Sequence, residues 1–175
     1  MEAAEFVEKL RSIEIDASLL KKQGVSDEFI EDIKRAYIIL PKALSIESQY
    51  AIVELVENYD CSHLEIGMVT LAAKTEESGN FIYFGKANEH DLAIDIITDA
   101  VVLLESGFDD LLFNCAQNDR YFLSAIFNAA LFLEKRAVEV DLYENVELNI
   151  QMAEEFGDMA GGKSYYDFYR MMLGV

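Results

Sequence analysis

Residues 81–105 constrain the fold of this chain more than any other stretch, because three short apolar runs follow one another there with polar breaks between them. Phe81 to Phe84 is aromatic and β-branched, Leu92, Ile94 and Ile96 alternate with Ala93, Asp95 and Ile97, and Ala100 to Leu104 is continuously apolar. Each run has strand chemistry. Thr98 and Asp99 form a polar pair between the second and third runs, as a tight hairpin requires. Asp tolerates a left-handed backbone better than most residues, although less well than Gly. The connection before it, Gly85 to Asp91, carries Gly85, Asn88 and Asp91, all turn-forming residues. The stretch predicts a three-stranded antiparallel meander.

The flanking segments alternate between helical patterning and shorter extended runs. Ala3, Phe6, Val7, Leu10 and Ile13 recur at helical spacing, which predicts a helix over 2–13. Gly24 breaks the chain, and Ser26 caps a second helix over 27–38 with Phe29, Ile30, Ile33 and Tyr37 as its buried stripe. Pro41 ends what precedes it. Residues 50–59 fit helix or strand by spacing; helix is preferred, because it gathers Glu54, Glu57 and Asn58 on one side and Ile52, Leu55, Val56 and Tyr59 on the other. Ile66 to Ala72 reads as the first strand of the sheet, with Glu76 to Asn80 as the turn into the meander, and Leu111 to Phe113 as a further extended segment.

Asn118 or Asp119 caps the strongest helix, Arg120 to about Val138, whose apolar residues cover too much of its surface for burial on one side only. Val146, Ile150, Ala153 and Phe156 predict a helix over 144–156 that ends at Gly157, and Ser164 with Asp167 makes a capping-box variant before a last helix. The expectation is one α+β domain over 1–175, with an antiparallel central sheet flanked by helices and a helical extension over 139–175.

With these elements in place, a family resemblance emerges. Phe84-Gly85, Leu92-Ala93-Ile94-Asp95 with Thr98 three residues on, Val101, the Asn114-Cys115-Ala116-Gln117-Asn118 stretch and the helix beginning near Phe122-Leu123 resemble the SUKH superfamily over roughly residues 40–135. Asp99 stands where that pattern usually has Gly, and the chain has no Trp, which many relatives carry. The resemblance implies an α+β fold with a central sheet. It also implies a role as an immunity protein that binds and neutralises a bacterial toxin domain, often a nuclease or deaminase encoded beside it.

Charge supports a basic protein partner independently. Fourteen Lys and Arg against 33 Asp and Glu give a formal charge of −19 over 175 residues, which opposes binding to nucleic acid phosphates and to anionic membranes. No Lys or Arg falls between Ala87 and Asp119, nor between Ala137 and Gly162, so two strongly negative faces are expected. In the second segment Glu144, Glu147, Glu154 and Glu155 fall on or near one helix, and these are the residues expected to meet a partner. Two unspaced cysteines, an acidic N-terminal stretch and no apolar run near the roughly 20 residues of a membrane span lead to the expectation of a cytoplasmic protein.

Candidate chemistry is sparse. Cys61-x-His63, His90 and Cys115 supply zinc-ligand types and a nominal Cys/His pair, but not the close second pair of a zinc motif. Glu89, Asp91, Asp95 and Asp99 invite comparison with a divalent-cation cluster or an acid/base pair, and are better read as solvated turn and strand residues. Gly79-Asn80 and Gly161-Gly162 lack the spacing and Lys of a phosphate loop. Tyr165-Tyr166-x-Phe168-Tyr169 fits a partner hot spot or, preferably, a terminal helix docked on its own domain. No catalytic residue, metal site or cofactor is assigned. The leading expectation is a non-enzymatic binding protein, and the alternative is a small acidic enzyme or ligand-binding regulator.

Overall fold

The computed structural model describes residues 1–175. The chain opens with α1 (Ala3–Arg11), which buries Ala3, Phe6, Val7 and Leu10. A short α2 (Ala17–Lys22) follows, capped by Asp16, whose carboxylate accepts from the Leu19 amide at 2.9 Å. Sequence patterning alone missed it, because one residue, Leu20, is buried and no stripe repeats. In α3 (Asp27–Ala36), Ser26 Oγ accepts from the Phe29 amide as anticipated. The expected four-residue stripe is not buried as a unit: Ile30 and Tyr37 are, Ile33 is half-buried, and Phe29 is 58% exposed. The strand β1 (Leu40–Pro41) pairs with β2 (Tyr59–Asp60) across α4 (Ala51–Asn58), so the ambiguous 50–59 segment is helical.

A continuous antiparallel meander follows in the order β3 (Glu65–Ile66), β4 (Val69–Ser78), β5 (Phe81–Ala87), β6 (His90–Asp95), β7 (Val101–Leu104) and β8 (Leu111–Ala116). It differs from expectation at its turns. The run Ile66 to Ala72 is divided by a turn at Gly67-Met68, and Glu76 to Ser78 belongs to β4, leaving Gly79-Asn80 as the turn. Gly85 is a strand residue rather than part of a long connection. A Cβ there would lie 2.3 Å from the Thr70 carbonyl oxygen, so the residue is selected for close approach of β5 to β4. The β5–β6 turn is Asn88-Glu89, with Asn88 at φ 53°. The β6–β7 connection spans 96–100 instead of two residues and exposes Ile96 and Ile97, but it does place Asp99 in the left-handed region, at φ 62°. The Asp95 carboxylate organises this loop by accepting from the Ile97 amide at 2.9 Å and from Thr98 Oγ1 at 2.8 Å.

Helices cover one face of the sheet. Ile82, Phe84, Leu92, Ile94, Val101 and Leu103 meet residues of α1, α4, α5 (Asp119–Val138), α7 (Val146–Met159) and α8 (Tyr166–Leu173) in one apolar core of 39 buried residues. Aromatic rings link sheet to tail: Phe84 and Phe122 centroids are 5.8 Å apart, Phe122 and Phe168 6.1 Å, and Phe168 and Tyr169 5.1 Å. The Tyr165–Tyr169 cluster therefore docks on its own domain through Phe168 and Tyr169, both fully buried.

On the other face, Phe81 and Tyr83 pack over a small cluster of Ala93, Val102 and Leu104. Before α7 lies α6 (Val140–Glu144), a five-residue helix that, like α2, has no sequence signal. The helix α7 does not stop at Gly157; the missing side chain admits Tyr166, whose Cδ1 would stand 2.3 Å from a Cβ at that position. Ser164 and Asp167 form no capping box, since a 3-10 turn (Lys163–Tyr165) runs straight into α8. No helix is long and apolar enough to cross a membrane.

Candidate functional site

The segment that carries Glu144, Glu147, Glu154 and Glu155 forms a corner between α6 and α7, and buried polar groups hold it. Asn145 caps α7 by accepting from the Leu148 amide at 3.0 Å. Asn149, 1% exposed, donates to the Leu142 carbonyl at 2.8 Å and to the Asn145 carbonyl at 2.7 Å, so the end of α6 is tied to the first turns of α7. Arg136 completes the joint, donating to Asn149 Oδ1 at 3.0 Å and to the Leu173 carbonyl at 2.9 Å. Its guanidinium also lies 4.9 Å from the Tyr143 ring centroid.

The carboxylates on this corner are not equivalent. Glu144 and Glu147 are exposed and take part in no ion pair, and Glu155 is exposed with a single bond from the Gln151 amide group. Glu154 is half-buried and paired to Arg170 at 2.5 Å, so it is partly neutralised and serves to hold α7 to α8. Glu139, Asp141 and Asp158 add further exposed acids. Asp158 accepts from the Tyr166 hydroxyl at 2.6 Å, and this bond, with burial and the nearby Asp158 and Glu154 charges, pushes that phenol up to about 12.

Sequence reading missed the apolar part of the surface. Val140, Tyr143 and Val146 are 62%, 64% and 59% exposed, and Val140 and Tyr143, three residues apart, share a face of α6. Val146, one of the apolar positions that predict α7, sits at the first helical residue, before the helix reaches the core. An exposed aromatic and two valines among unpaired acids can bind a surface that is basic at its edge and apolar at its centre.

The acids of the other basic-free segment do not gather on one second face. An antiparallel meander sends alternate turns to opposite ends of the sheet, so Asp95 and Asp99 stand at one end and Glu89, Glu105, Asp109 and Asp110 at the other. Asp91 pairs with Lys86 at 3.4 Å within the ladder, and Asp119 is buried, accepting from the Ile52 amide at 3.1 Å at the start of α4. No three of the His, Cys, Asp and Glu side chains stand together in a way that could hold a metal ion. Both thiols are buried, and neither is hydrogen-bonded to a histidine; burial pushes Cys61 up to about 12 and Cys115 well above the usual range. Neither is a poised thiolate.

Most cations of the chain are consumed locally. Lys9, Lys21, Lys34, Arg35, Lys86, Arg120 and Arg170 pair with carboxylates, while Arg11 and Lys42 donate to backbone carbonyls. A recess of about 430 Å³ lies beside Tyr50, Val53, Phe81, Ile82 and Ile96. The Tyr50 hydroxyl at its margin is already spent, donating to Asp99 at 2.8 Å. Compared with protein families, curated proteins and solved structures, the chain matches none.

Proposed function

We propose that this protein is a non-enzymatic binding protein of the SUKH immunity type, which neutralises a basic, nucleic-acid-acting toxin domain by covering it with an acidic face. The observation that carries this reading is the α6–α7 corner: Glu144 and Glu147 stand exposed and free of cation partners close in sequence to an exposed Tyr143, with Glu155 exposed further along α7, in a chain of formal charge −19. Aromatic anchors in a charged rim are the usual grammar of a tight protein interface, and a rim of one sign accelerates encounter with a partner of the other. The short motifs shared with SUKH proteins supply the class of partner. In this reading the protein acts in the cytoplasm, requires no cofactor, and has no direct contact with nucleic acid or membrane.

One observation favours the alternative, a ligand-binding regulator or small enzyme: the recess of about 430 Å³ beside Tyr50 falls within the size range of small-molecule sites. A single titration separates the two. The purified chain is added to the C-terminal toxin domain encoded by the adjacent reading frame, and nucleic-acid cleavage or deamination is followed. The binding reading requires activity to fall to zero at one equivalent, with loss of inhibition when Tyr143→Ala is combined with Glu144→Lys and Glu147→Lys. Undiminished toxin activity at excess chain refutes it and leaves the ligand reading.

A further inference from the structure

The β7–β8 end of the sheet exposes large apolar side chains on a backbone that is held in place. Leu104 pairs with Leu111 and Leu103 with Phe113, which leaves Leu112 as the extra residue of a bulge. A bulge bends its strand and re-aims side chains. Leu111 and Leu112 are consequently both exposed, at 57% and 37%, and Phe108 in the preceding loop is exposed at 72%.

The loop itself is pinned. The Phe108 amide donates to the Glu105 carbonyl at 3.1 Å, the Glu105 amide to the Asp110 carbonyl at 2.8 Å, and the Tyr83 hydroxyl to Asp109 Oδ1 at 2.6 Å. That last bond crosses from β5, and burial with the charges of Asp109, Asp91 and Glu76 pushes the Tyr83 phenol up to about 12. Hydrophobic side chains displayed on an ordered loop lose little freedom when they are covered.

The strand β8 is hydrogen-bonded to β7 alone, so it is one of the two edges of the sheet; its end at Cys115 and Ala116 is buried, and the exposed part is the start of the strand at Leu111 and Leu112. Natural edges are usually blunted by Lys or Pro, and neither occurs from Ala87 to Asp119. Its two bulges, at Leu112 and Cys115, prevent a long added strand from pairing in register, so side chains rather than a ladder define the surface.

We infer that Phe108, Leu111 and Leu112, rimmed by Glu105, Asp109 and Asp110, form a docking surface for a basic protein segment that carries apolar side chains between its cations. Charge selects this occupant. A second copy of the chain would bring the same acids against one another, on molecules of formal charge −19 each, whereas Lys or Arg beside a Leu or Phe matches both the rim and the centre. The surface is separate in sequence from the α6–α7 corner and does not depend on a toxin being the partner.

The test uses the full chain, 15N-labelled, titrated with the synthetic peptide Lys-Leu-Lys-Phe-Lys-Leu-Lys and followed by amide chemical shifts. Two control peptides replace either the apolar residues by Gly or the lysines by Glu. The inference requires saturable shifts at residues 105–114, with affinity about tenfold weaker for the Gly control and none for the Glu control. Phe108→Ser with Leu111→Ser should abolish those shifts; both side chains are exposed, so the remaining spectrum reports that the fold is intact. Shifts scattered over all acidic surfaces and equal for the Gly control would overturn it. Shifts confined to the α6–α7 corner would also overturn it while leaving the proposed function untouched. Self-association of the free chain, suppressed by the Phe108→Ser and Leu111→Ser changes in sedimentation, would assign the surface to a second copy instead.

Discussion

Replacing Asn149 by Ala tests whether the α6–α7 corner is a built surface or a passive one. The side chain is 1% exposed and joins three elements: its amide donates at 2.8 Å and 2.7 Å to carbonyls at the end of α6, and its oxygen accepts from Arg136 at 3.0 Å. Two neutral bonds contribute about 0.5–1.5 kcal/mol each and the charge-assisted one about 1.5–3 kcal/mol. Arg136 keeps its second bond, to the Leu173 carbonyl, and the freed carbonyls at the end of α6 can rehydrate, so part of that sum is recovered. A net loss of about 3 kcal/mol is expected. Urea denaturation followed by circular dichroism gives the loss, and amide hydrogen exchange locates it: Val140–Glu144 should lose protection in the variant before the sheet does. Asn149→Asp is the sharper companion, because it can still accept from Arg136 but cannot donate to either carbonyl. A cost below about 1 kcal/mol for Ala, or unchanged exchange in α6, would show that Asn149 does not hold the corner.

Three other changes probe the interior and the turns. Asp99→Gly relieves a left-handed backbone by up to about 1 kcal/mol but removes the acceptor of the Tyr50 hydroxyl, so it should be nearly neutral alone and stabilising in a Tyr50→Phe background; equal effects in both backgrounds would refute the coupling. Tyr169→Phe deletes a fully buried hydroxyl that has no hydrogen-bond partner, and should leave the midpoint of denaturation unchanged or raise stability by about 1 kcal/mol; a clear loss would mean that the hydroxyl is satisfied. Glu57 accepts from the Thr75 amide at 2.6 Å and hydroxyl at 2.7 Å, and these bonds hold its carboxyl below the usual range. The unfolded chain then binds the proton first as pH falls, so this contribution is present above the ordinary glutamate range and is lost below it; Glu57→Gln should flatten the fall of stability between about pH 5 and pH 3, and an unchanged slope would count against it.

The sequence made the large elements legible wherever local chemistry and burial agreed. Ser26 marked a cap, Ala100 to Leu104 marked a strand, and the apolar excess of 120–138 marked a helix covered on more than one side. It misled where a residue was chosen for a neighbour distant in sequence: Gly85 and Gly157 read as breaks, yet each lies inside an element because another chain segment needs the space. The short helices α2 and α6 bury too little to repeat a pattern. The acids of the α6–α7 corner were visible as a run without Lys or Arg. The exposure of Tyr143 was not, because the joint that turns α6 outward depends on Asn149, Arg136 and the last carbonyls of α8, none of which a linear reading brings together.

Stopped-flow association of the chain with its cognate toxin domain, as a function of salt and of charge reversal on α6–α7, bears most directly on the proposed role. Glu144→Lys with Glu147→Lys is the proper reversal, since Glu154 is bound to Arg170 and its replacement would disturb the fold. Exposed rim charges act on encounter and are screened over about 8 Å at physiological ionic strength. The association rate is expected to fall as salt rises and to fall again in the double variant, with dissociation little changed. A rate indifferent to both salt and reversal would contradict the proposed role.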